Sequence, residues 1–325
     1  MVGESARMRA MYRQVEKLAS SDIRTFIQGE NGTGKGLIAQ ALHRSGLRCA
    51  GPFVTLDCST IAEGLIESQL FGHVRGAFTG ALATRGGVFA DAHRGTLFID
   101  EVTELRPHLQ ARLLRVIESG EFTMVGQNQA RRVDVRIITA TNQDLAGAVA
   151  AGRFRADLYF RIAVACVELP PLRERRDDVP LLARHFLEAC LTKYRPDRVR
   201  GLTGRAVEAL SRYSWPGNVR QLENWIENAV ILAEDELIDL EHFPALGLGS
   251  PPAPSMPQAA ALPTGLTLFE LERRYVTETL ERGGGNRTQT AKVLGISLRG
   301  LQYRLRRYDT NGHHASASEG STVGA

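Results

Sequence analysis

A glycine-rich segment at residues 29–35 constrains the fold of this 325-residue chain more than any other feature of its sequence. Residues 25–28 before it are apolar and typical of a strand, and residues 37–43 after it have helical spacing. Glycines between a strand and a helix let backbone N–H groups curl around a phosphate, and the start of the helix adds the positive end of its dipole. The segment therefore predicts a phosphate-binding loop, and its context makes a chance glycine-rich turn a poor explanation.

Short apolar runs alternate with helical patterns over the first 170 residues. The runs are residues 25–28, 53–57, 96–100, 135–140 and 164–169. Between them, residues 109–117 have an apolar residue at every fourth position, with Pro107 near the start and Gly120 past the end, as expected of a helix. This alternation predicts an α/β domain over residues 1–170 with a parallel five-stranded sheet.

Four further regions are predicted after residue 170. Residues 171–245 predict a small helical lid, with a purely helical pattern from Asp178 to about Glu241. Residues 246–265 are rich in proline and predict a semi-rigid linker. Residues 266–309 predict a small all-α domain, and the Gly-, Ser- and His-rich residues 310–325 predict a disordered tail.

Composition excludes a membrane protein. No stretch approaches the roughly 20 apolar residues that a spanning helix needs, and the first residues lack a basic-then-apolar signal pattern. We therefore expect a cytoplasmic protein with no membrane partner. The net charge of +4 permits a polyanionic partner but does not require one.

Two carboxylates complete the predicted nucleotide site. The run at residues 96–100 ends in Asp100 and is followed by Glu101, at the sheet edge where the glycine-rich segment also lies. Asp100 would hold Mg²⁺ or its water, and Glu101 would orient and polarise the attacking water. Thr141 and Asn142 end another run, and they either sense the terminal phosphate or simply form a turn. The residues predicted here to bind ATP are Gly29, Glu30, Asn31, Gly32, Thr33, Gly34, Lys35, Gly36, Thr141 and Asn142.

The C-terminal region predicts a helix-turn-helix that binds DNA. A first helix over 267–282 and two more helices after it have apolar faces, and a turn with Gly295 and Ser297 separates the last two. Between Asn286 and Tyr308 there are six basic residues and no acidic one, although a solvated basic helix would have the same charges. The apolar anchors of the first helix are Leu268, Leu271, Tyr275 and Leu280, and those of the last are Leu298, Leu301, Leu305 and Tyr308. The residues predicted to contact DNA are Arg287, Thr288, Lys292, Arg299, Gln302, Tyr303, Arg304, Arg306 and Arg307.

Several longer motifs, in order along the chain, resemble those of the sigma-54-dependent activators of the AAA+ class. The most specific is Gly76-Ala77-Phe78-Thr79-Gly80-Ala81, and residues 95–101, 169–175 and 215–224 also match. The resemblance implies an ATPase that assembles from dimers into hexameric rings and remodels the sigma-54 RNA polymerase holoenzyme. The C-terminal part resembles a Fis-like module, which implies dimeric binding to double-stranded DNA upstream of a promoter.

The resemblance also implies that residues 76–81 form a loop that projects from the motor and touches sigma-54. Gly76 and Gly80 would act as hinges and Phe78 as an apolar tip. Without the resemblance, Phe78 would fit a core aromatic equally well.

Three arginines receive roles from the resemblance alone. Arg155 and Arg161 would reach the ATP of the neighbouring subunit, where an arginine stabilises the transferring phosphoryl group. Arg220, in the lid, would contact the nucleotide of its own subunit. The alternative for each is a solvated or ion-paired side chain.

Three positions depart from the family pattern. Gly36 replaces a glutamate and offers no side chain to hold Mg²⁺, Asp57 replaces an asparagine that can hydrogen-bond the catalytic glutamate, and Gln69 replaces a glutamate. We predict that Asp57 alters how Glu101 switches between poses, because two nearby carboxylates repel.

Two other functional classes stay open at this stage. Gly36 and Asp57 favour a DNA-binding regulator with a weak or silent ATPase, whereas the hexapeptide and the C-terminal module disfavour an AAA+ machine of another kind. The start at residues 2–5 resembles the start of the motor, so control by a separate protein and control by a preceding domain both stay open.

Overall fold

The structure, a computed structural model, describes most of the chain. The described residues are 1–194 and 199–243, and in the C-terminal part 272, 273, 275–277, 279, 280, 286, 287, 290, 291, 300, 301, 304, 305 and 308. The chain divides into two compact units, Met1–Ala253 and Pro254–Ala325. The predicted linker at 246–265 and tail at 310–325 lie outside the described residues. No helix in the described part is long and apolar enough to cross a membrane.

Strands and helices alternate through the first unit. The strands are β1 (Thr25–Gln28), β2 (Phe53–Asp57), β3 (Thr96–Asp100), β4 (Glu121–Thr123), β5 (Ala130–Arg132), β6 (Arg136–Thr141), β7 (Ala165–Glu168), β8 (Gly201–Leu202) and β9 (Leu237–Ile238). The helices are α1 (Ala6–Ala19), α2 (Lys35–Arg44), α3 (Glu63–Phe71), α4 (Gly87–Asp91), α5 (Pro107–Ser119), α6 (Leu145–Ala150), α7 (Ala156–Ile162), α8 (Val179–Tyr194), α9 (Gly204–Arg212) and α10 (Asn218–Leu232).

The main sheet has the strand order β2-β3-β6-β1-β7, and every neighbouring pair is parallel. This confirms the predicted five-stranded parallel sheet, with β6 and β7 differing from the predicted runs by one residue at their ends. Because all five strands run the same way, the residues that follow β1, β2, β3 and β6 meet at one edge of the sheet.

Alternating residues of the sheet supply two separate cores, one on each face. Phe26, Leu97 and Ile99 pack in one core with residues of α5 and α7. Ile27 and Phe98 point the other way and pack with α1 and α2. Such two-sided burial explains why these strands appear in the sequence as continuous apolar runs.

Short strands were missed by the sequence analysis. β4 and β5 form an antiparallel hairpin after α5, and β8 pairs in parallel with β9 inside the lid. The expectation of a purely helical stretch from Asp178 to Glu241 is therefore wrong. A two- or three-residue strand is too short for a period of two to show in the sequence.

The lid has its own core, in which the ring of the fully buried Trp215 packs against Tyr213 and Trp225.

The second unit has a small apolar core of its own. Leu301 and Tyr308 are buried with Val276 and Ala291, and Leu305 packs against them, as the predicted face of the last helix requires. Tyr275, predicted as an anchor of the first helix, is 64% exposed, and the adjacent Val276 is buried instead. The buried anchor of the first helix at this point is thus Val276, one residue later than predicted.

Candidate functional site

The glycine-rich segment forms a turn between β1 and α2. Gly32 and Gly34 have φ values of +78° and +107°, in a region of backbone conformation that L side chains rarely adopt. Lys35 is the first residue of α2 and is buried, and its Nζ donates to the carbonyl of Gly29 at 3.0 Å. The ammonium group is therefore held inside the turn, and the start of α2 adds the positive end of the helix dipole there.

The two predicted carboxylates lie beside this lysine. Asp57 and Asp100 are partners in the β2–β3 register, and Glu101 follows with a positive φ of +51°. Glu101 Oε1 accepts a hydrogen bond from Lys35 Nζ at 3.1 Å. Its Oε2 accepts from the backbone N–H of Asn142 at 3.1 Å, so the end of β6 holds the carboxylate on its other side.

Thr141 is fully buried behind Glu101. Its hydroxyl lies 3.3 Å from Glu101 Oε2 and 2.8 Å from the hydroxyl of Thr103. The end of β6 thus positions Glu101 through both a side chain and a backbone amide.

Burial dominates the electrostatics of Asp100. Loss of solvent raises its pKa, the charge of Lys35 opposes the rise, and the nearby carboxylates Glu101 and Asp57 add to it. Its Oδ1 accepts from the backbone N–H of Glu101 at 3.0 Å. A partly buried carboxylate of this kind favours a cationic ligand.

Asp57 does not bond Glu101 in this structure. Its Oδ1 accepts from the backbone N–H of Ser59 at 2.9 Å and from the Ser59 hydroxyl at 2.7 Å. The family pattern implies a hydrogen bond between position 57 and Glu101, and among the described residues Asp57 does not make it.

A single cleft brings together most of the predicted ligands of ATP with residues of the lid. The predicted residues that line it are Asn31, Gly32, Gly34, Lys35, Gly36, Asp100, Glu101, Asn142 and Arg220. Gly36 lines it without offering any side-chain oxygen. Arg220 is exposed, and in the part of the chain that the structure describes it has no acidic partner.

Glu30 faces the lid, although it was predicted as a ligand of ATP. Both of its carboxylate oxygens accept from Arg173, at 2.8 and 2.6 Å, and Oε2 also accepts from Asn218 Nδ2 at 3.0 Å. Arg173 and Asn218 lie in the motifs at residues 169–175 and 215–224, but the sequence analysis did not assign them a role. Their place in matched motifs was the only signal for them in the sequence.

The arginines at 155 and 161 lie away from this cleft. Arg155 precedes α7 and makes a two-point ion pair with Asp157, at 3.0 and 2.7 Å. Arg161 donates to Glu118 at 3.0 Å. Both side chains are about half exposed, 45% and 53%, and both are ion-paired in the isolated chain.

Residues 76–81 form an exposed loop between α3 and α4. Gly76 and Gly80 have φ values of +82° and +102°, and a Cβ on either would meet no atom within 4 Å. Phe78 is 37% exposed, and its ring lies 5.0 Å from that of His73 in an edge-on arrangement. The alternative of a core aromatic at position 78 is therefore wrong. Ala81 is buried at the base of the loop, whereas Ala77 is half-buried and Thr79 is exposed.

Two predicted DNA contacts lie among the described residues. Arg287 is exposed, and Arg304 is half-buried and donates to Glu272 at 2.6 Å. The other predicted contacts lie outside the described residues: Thr288, Lys292, Arg299, Gln302, Tyr303, Arg306 and Arg307.

Comparison with known families matches almost the whole chain. The sigma-54 interaction domain matches residues 1–168, an AAA+ ATPase lid domain matches 173–259, and the Fis family of bacterial regulatory proteins matches 267–308. The transcriptional regulatory protein ZraR of Klebsiella oxytoca is 46% identical over 307 residues, which cover 94% of this chain and 68% of ZraR. The response regulator protein PilR of Pseudomonas aeruginosa is 44% identical over 310 residues, covering 94% of this chain and 69% of PilR.

Solved structures agree with these matches. NtrX from Brucella abortus, crystallised in complex with ADP and also with ATP, has a TM-score of 0.69 and 32% sequence identity. The similarity covers 94% of this chain and 68% of NtrX. The chain belongs to the sigma-54-dependent transcriptional activators, with an AAA+ ATPase domain, its lid and a Fis-type helix-turn-helix domain.

Proposed function

We propose that the chain hydrolyses ATP, with Mg²⁺, in a hexameric ring of its own copies. In this proposal the loop at residues 76–81 remodels sigma-54 RNA polymerase while the C-terminal module is bound to upstream DNA. The observation that carries it is the cluster of Lys35, Asp100 and Glu101 at one sheet edge, in a cleft that Arg220 also lines. The complexes of NtrX with ADP and with ATP support nucleotide binding by this chain.

Lys35 and Glu101 would divide the chemistry between them. Lys35 would give up its bond to Glu101 and neutralise phosphate oxygens at the start of α2. Glu101 would then be free to orient a water molecule and take its proton. Thr141 and Asn142 keep the carboxylate aimed during this exchange, because both already contact its second oxygen.

The residues of the cleft fit a magnesium ion that is shared with phosphates. Mg²⁺ is commonly held by one or two carboxylates together with substrate phosphates and water. Asp100 offers such a carboxylate. Its raised pKa reflects the cost of keeping a negative charge away from solvent, and a bound cation would offset that cost. When bound, the ion would neutralise charge on the phosphates, and Gly36 leaves Asp100 as its predicted protein ligand.

The fold supports a role of Arg161 in a neighbouring subunit. α7 ends at Ile162 and β7 begins at Ala165, so Arg161 lies near the edge where the strands begin. The cleft lies at the opposite edge, and β7 separates the two by about 13 Å at 3.3 Å per residue. An arginine there cannot serve the cleft of its own subunit without leaving α7, whereas a second copy can receive it.

The loop at residues 76–81 has the properties of a contact surface. Phe78 in the loop and Leu82 directly after it are exposed apolar side chains, at 37% and 86%, and a monomer gains little from such exposure. The open space around Gly76 and Gly80 leaves the loop free to change its angle.

An assay of ATP hydrolysis at rising protein concentration tests the proposal. We expect the rate per chain to rise with concentration, because each active site needs an arginine from another copy. Lys35→Ala and Glu101→Gln should abolish hydrolysis, and the parent should bind sigma-54 in the presence of a transition-state mimic of ATP.

The alternative is a DNA-binding regulator with a silent ATPase, which the missing side chain at Gly36 favours. Under that alternative, hydrolysis stays at the background of Lys35→Ala at every concentration. That result, or a failure to bind sigma-54 in every nucleotide state, would contradict the proposal.

A further inference from the structure

The carboxylate of Glu30 is fully engaged by residues that lie far away in the sequence. Arg173 donates one N–H to each of its oxygens, at 2.6 and 2.8 Å, in the paired geometry that suits a guanidinium and a carboxylate. Asn218 Nδ2 adds a third hydrogen bond at 3.0 Å. The hydrogen bond from Arg173 is also the main reason that the pKa of Glu30 is lowered. Glu30 therefore acts as an acceptor for the lid and its connecting segment.

Asn218 connects three parts of the first unit. It is completely buried, and its φ of +52° is a left-handed conformation that asparagine adopts more readily than most residues. Besides Glu30, its Nδ2 donates to the carbonyl of Asn31 at 3.0 Å, and its Oδ1 accepts from the backbone N–H of Leu172 at 2.8 Å. Since Asn218 is the first residue of α10, its side chain ties the start of this helix to the glycine-rich turn and to Leu172.

The backbone of the glycine-rich turn also takes the place of a cap on α10. The helix has no side-chain cap, and the carbonyl of Gly32 accepts from the N–H groups of Val219 and Arg220, at 3.0 and 3.3 Å. The approach is close, because a Cβ on Gly32 would lie 2.4 Å from the carbonyl oxygen of Gly217. The start of α10 is therefore fixed directly on the loop that is proposed to hold the phosphates.

Arg220 is the third residue of α10, and its side chain lines the cleft. The position of its guanidinium follows the position of the helix start. We infer that Glu30 is a positioning residue that, with Arg173 and Asn218, forms a latch holding the start of α10, and with it Arg220, on the nucleotide-binding loop. The effect on nucleotide binding rests on the proposed function, whereas the latch itself belongs to the nucleotide-free chain.

The latch has a mechanical consequence for the lid. The same hydrogen bonds join the nucleotide-binding loop to the start of α10. A ligand that shifts the loop should therefore also change the angle of α10, and a change in that angle should alter the loop. By linkage, closure of the lid and affinity for nucleotide are then coupled through Glu30.

Hydrogen exchange of the full chain without nucleotide tests the latch directly. Glu30→Gln removes the charge that pairs with Arg173, and we expect faster exchange of the Val219 and Arg220 amides by about fivefold or more. The matched control is Arg212→Gln, which breaks another exposed ion pair, with Glu208 within α9. The control should leave those two amides at the rate of the parent.

ADP binding tests the consequence for Arg220. Glu30→Gln should weaken ADP by about 5- to 20-fold in the parent, and by less than about twofold in a chain that already carries Arg220→Gln. Arg173→Gln breaks the same pair from the other side, and it should also give faster amide exchange and weaker ADP binding. It replaces Glu30→Gln in both experiments if that variant folds poorly. Arg173→Lys keeps the charge but loses the paired geometry, and it should fall between Arg173→Gln and the parent.

Two results would overturn the inference. One is unchanged amide exchange in both Glu30→Gln and Arg173→Gln. The other is an equal loss of ADP affinity with and without Arg220, which would make Glu30 an independent ligand of the nucleotide. Failure of the parent to bind ADP would instead refute the proposed nucleotide site, and the exchange measurement would still decide on the latch.

Discussion

Asp57 adds a negative charge to a cleft that is proposed to bind a polyphosphate. It lies opposite Asp100 in the paired strands β2 and β3, and its charge contributes to the raised pKa of Asp100, after burial and the charge of Glu101. The structure gives Asp57 a partner of its own in Ser59, so its effect on the cleft is electrostatic. The effect on ATP hydrolysis of having Asp57 in place of the family's asparagine should therefore depend on pH.

Asp57→Asn should shift the acidic limb of kcat/KM for ATP hydrolysis to lower pH. Asp100 has to be ionised to hold a cation, so activity is lost as the pH falls through its raised pKa. Removing the charge of Asp57 lowers that pKa and keeps Asp100 ionised further into the acid range. The measurement is a profile of kcat/KM from about pH 5 to pH 8 for both chains.

Asp235→Asn, an equal change of charge on the exposed surface of the lid, serves as the control and should leave the limb in place. Superimposable profiles of the parent and Asp57→Asn would show that Asp57 influences neither Asp100 nor the switching of Glu101.

Among the elements, the loop at residues 76–81 allows ATP hydrolysis and sigma-54 binding to be tested separately. Phe78 makes an edge-on contact with His73 but no contact with the cleft residues. Phe78→Ala should therefore keep ATP hydrolysis within about twofold of the parent, and weaken sigma-54 binding by about 30-fold, as for loss of a central aromatic anchor. Binding is measured with a transition-state mimic of ATP present.

Leu47→Ala is a matched control, because Leu47 is an apolar residue that is 70% exposed outside this loop. It should leave both activities unchanged. Sigma-54 binding by Phe78→Ala at the strength of the parent would exclude Phe78 as the contact.

The elements that the sequence predicts well are those whose burial leaves a pattern. The central strands β1, β3 and β6 are buried on both faces, so each is a largely apolar run. The edge strands β2 and β7 are only partly buried but keep a short apolar stretch. The hairpin of β4 and β5 has an entirely exposed second strand, Ala130–Arg132, and this leaves no apolar signal. β8 and β9 are two residues each, and their paired residues are 36 positions apart in the sequence, which local reasoning cannot detect.

The candidate site divides in the same way. Lys35, Asp100 and Glu101 each lie within a short motif next to a strand end, and the parallel sheet then brings those ends together. The latch of Glu30, Arg173 and Asn218 joins residues 143 and 188 positions apart, and none of the three has a distinctive local setting. For that reason Glu30 was predicted as a ligand of ATP along with its neighbours in the loop.

At the scale of the whole molecule, Arg161 and the cleft of one chain lie at opposite edges of its sheet. In the isolated chain, Arg155 and Arg161 are held by Asp157 and Glu118. Both ion pairs are exposed and therefore weak, so a neighbouring nucleotide could displace the acidic partners at little cost. Each chain would then carry one half of two different active sites.

Mixing two inactive variants tests this division. Lys35→Ala lacks a working cleft but keeps Arg161, and Arg161→Ala lacks the arginine but keeps the cleft. Each alone should be slower than the parent by about 10³-fold or more, as for loss of an arginine from phosphoryl transfer. In a ring mixed at random in equal amounts, about a quarter of the interfaces join an intact cleft to an intact arginine. The mixture should therefore recover up to about a quarter of the parent's ATP hydrolysis, and a mixture no more active than its parts would place Arg161 in the site of its own chain.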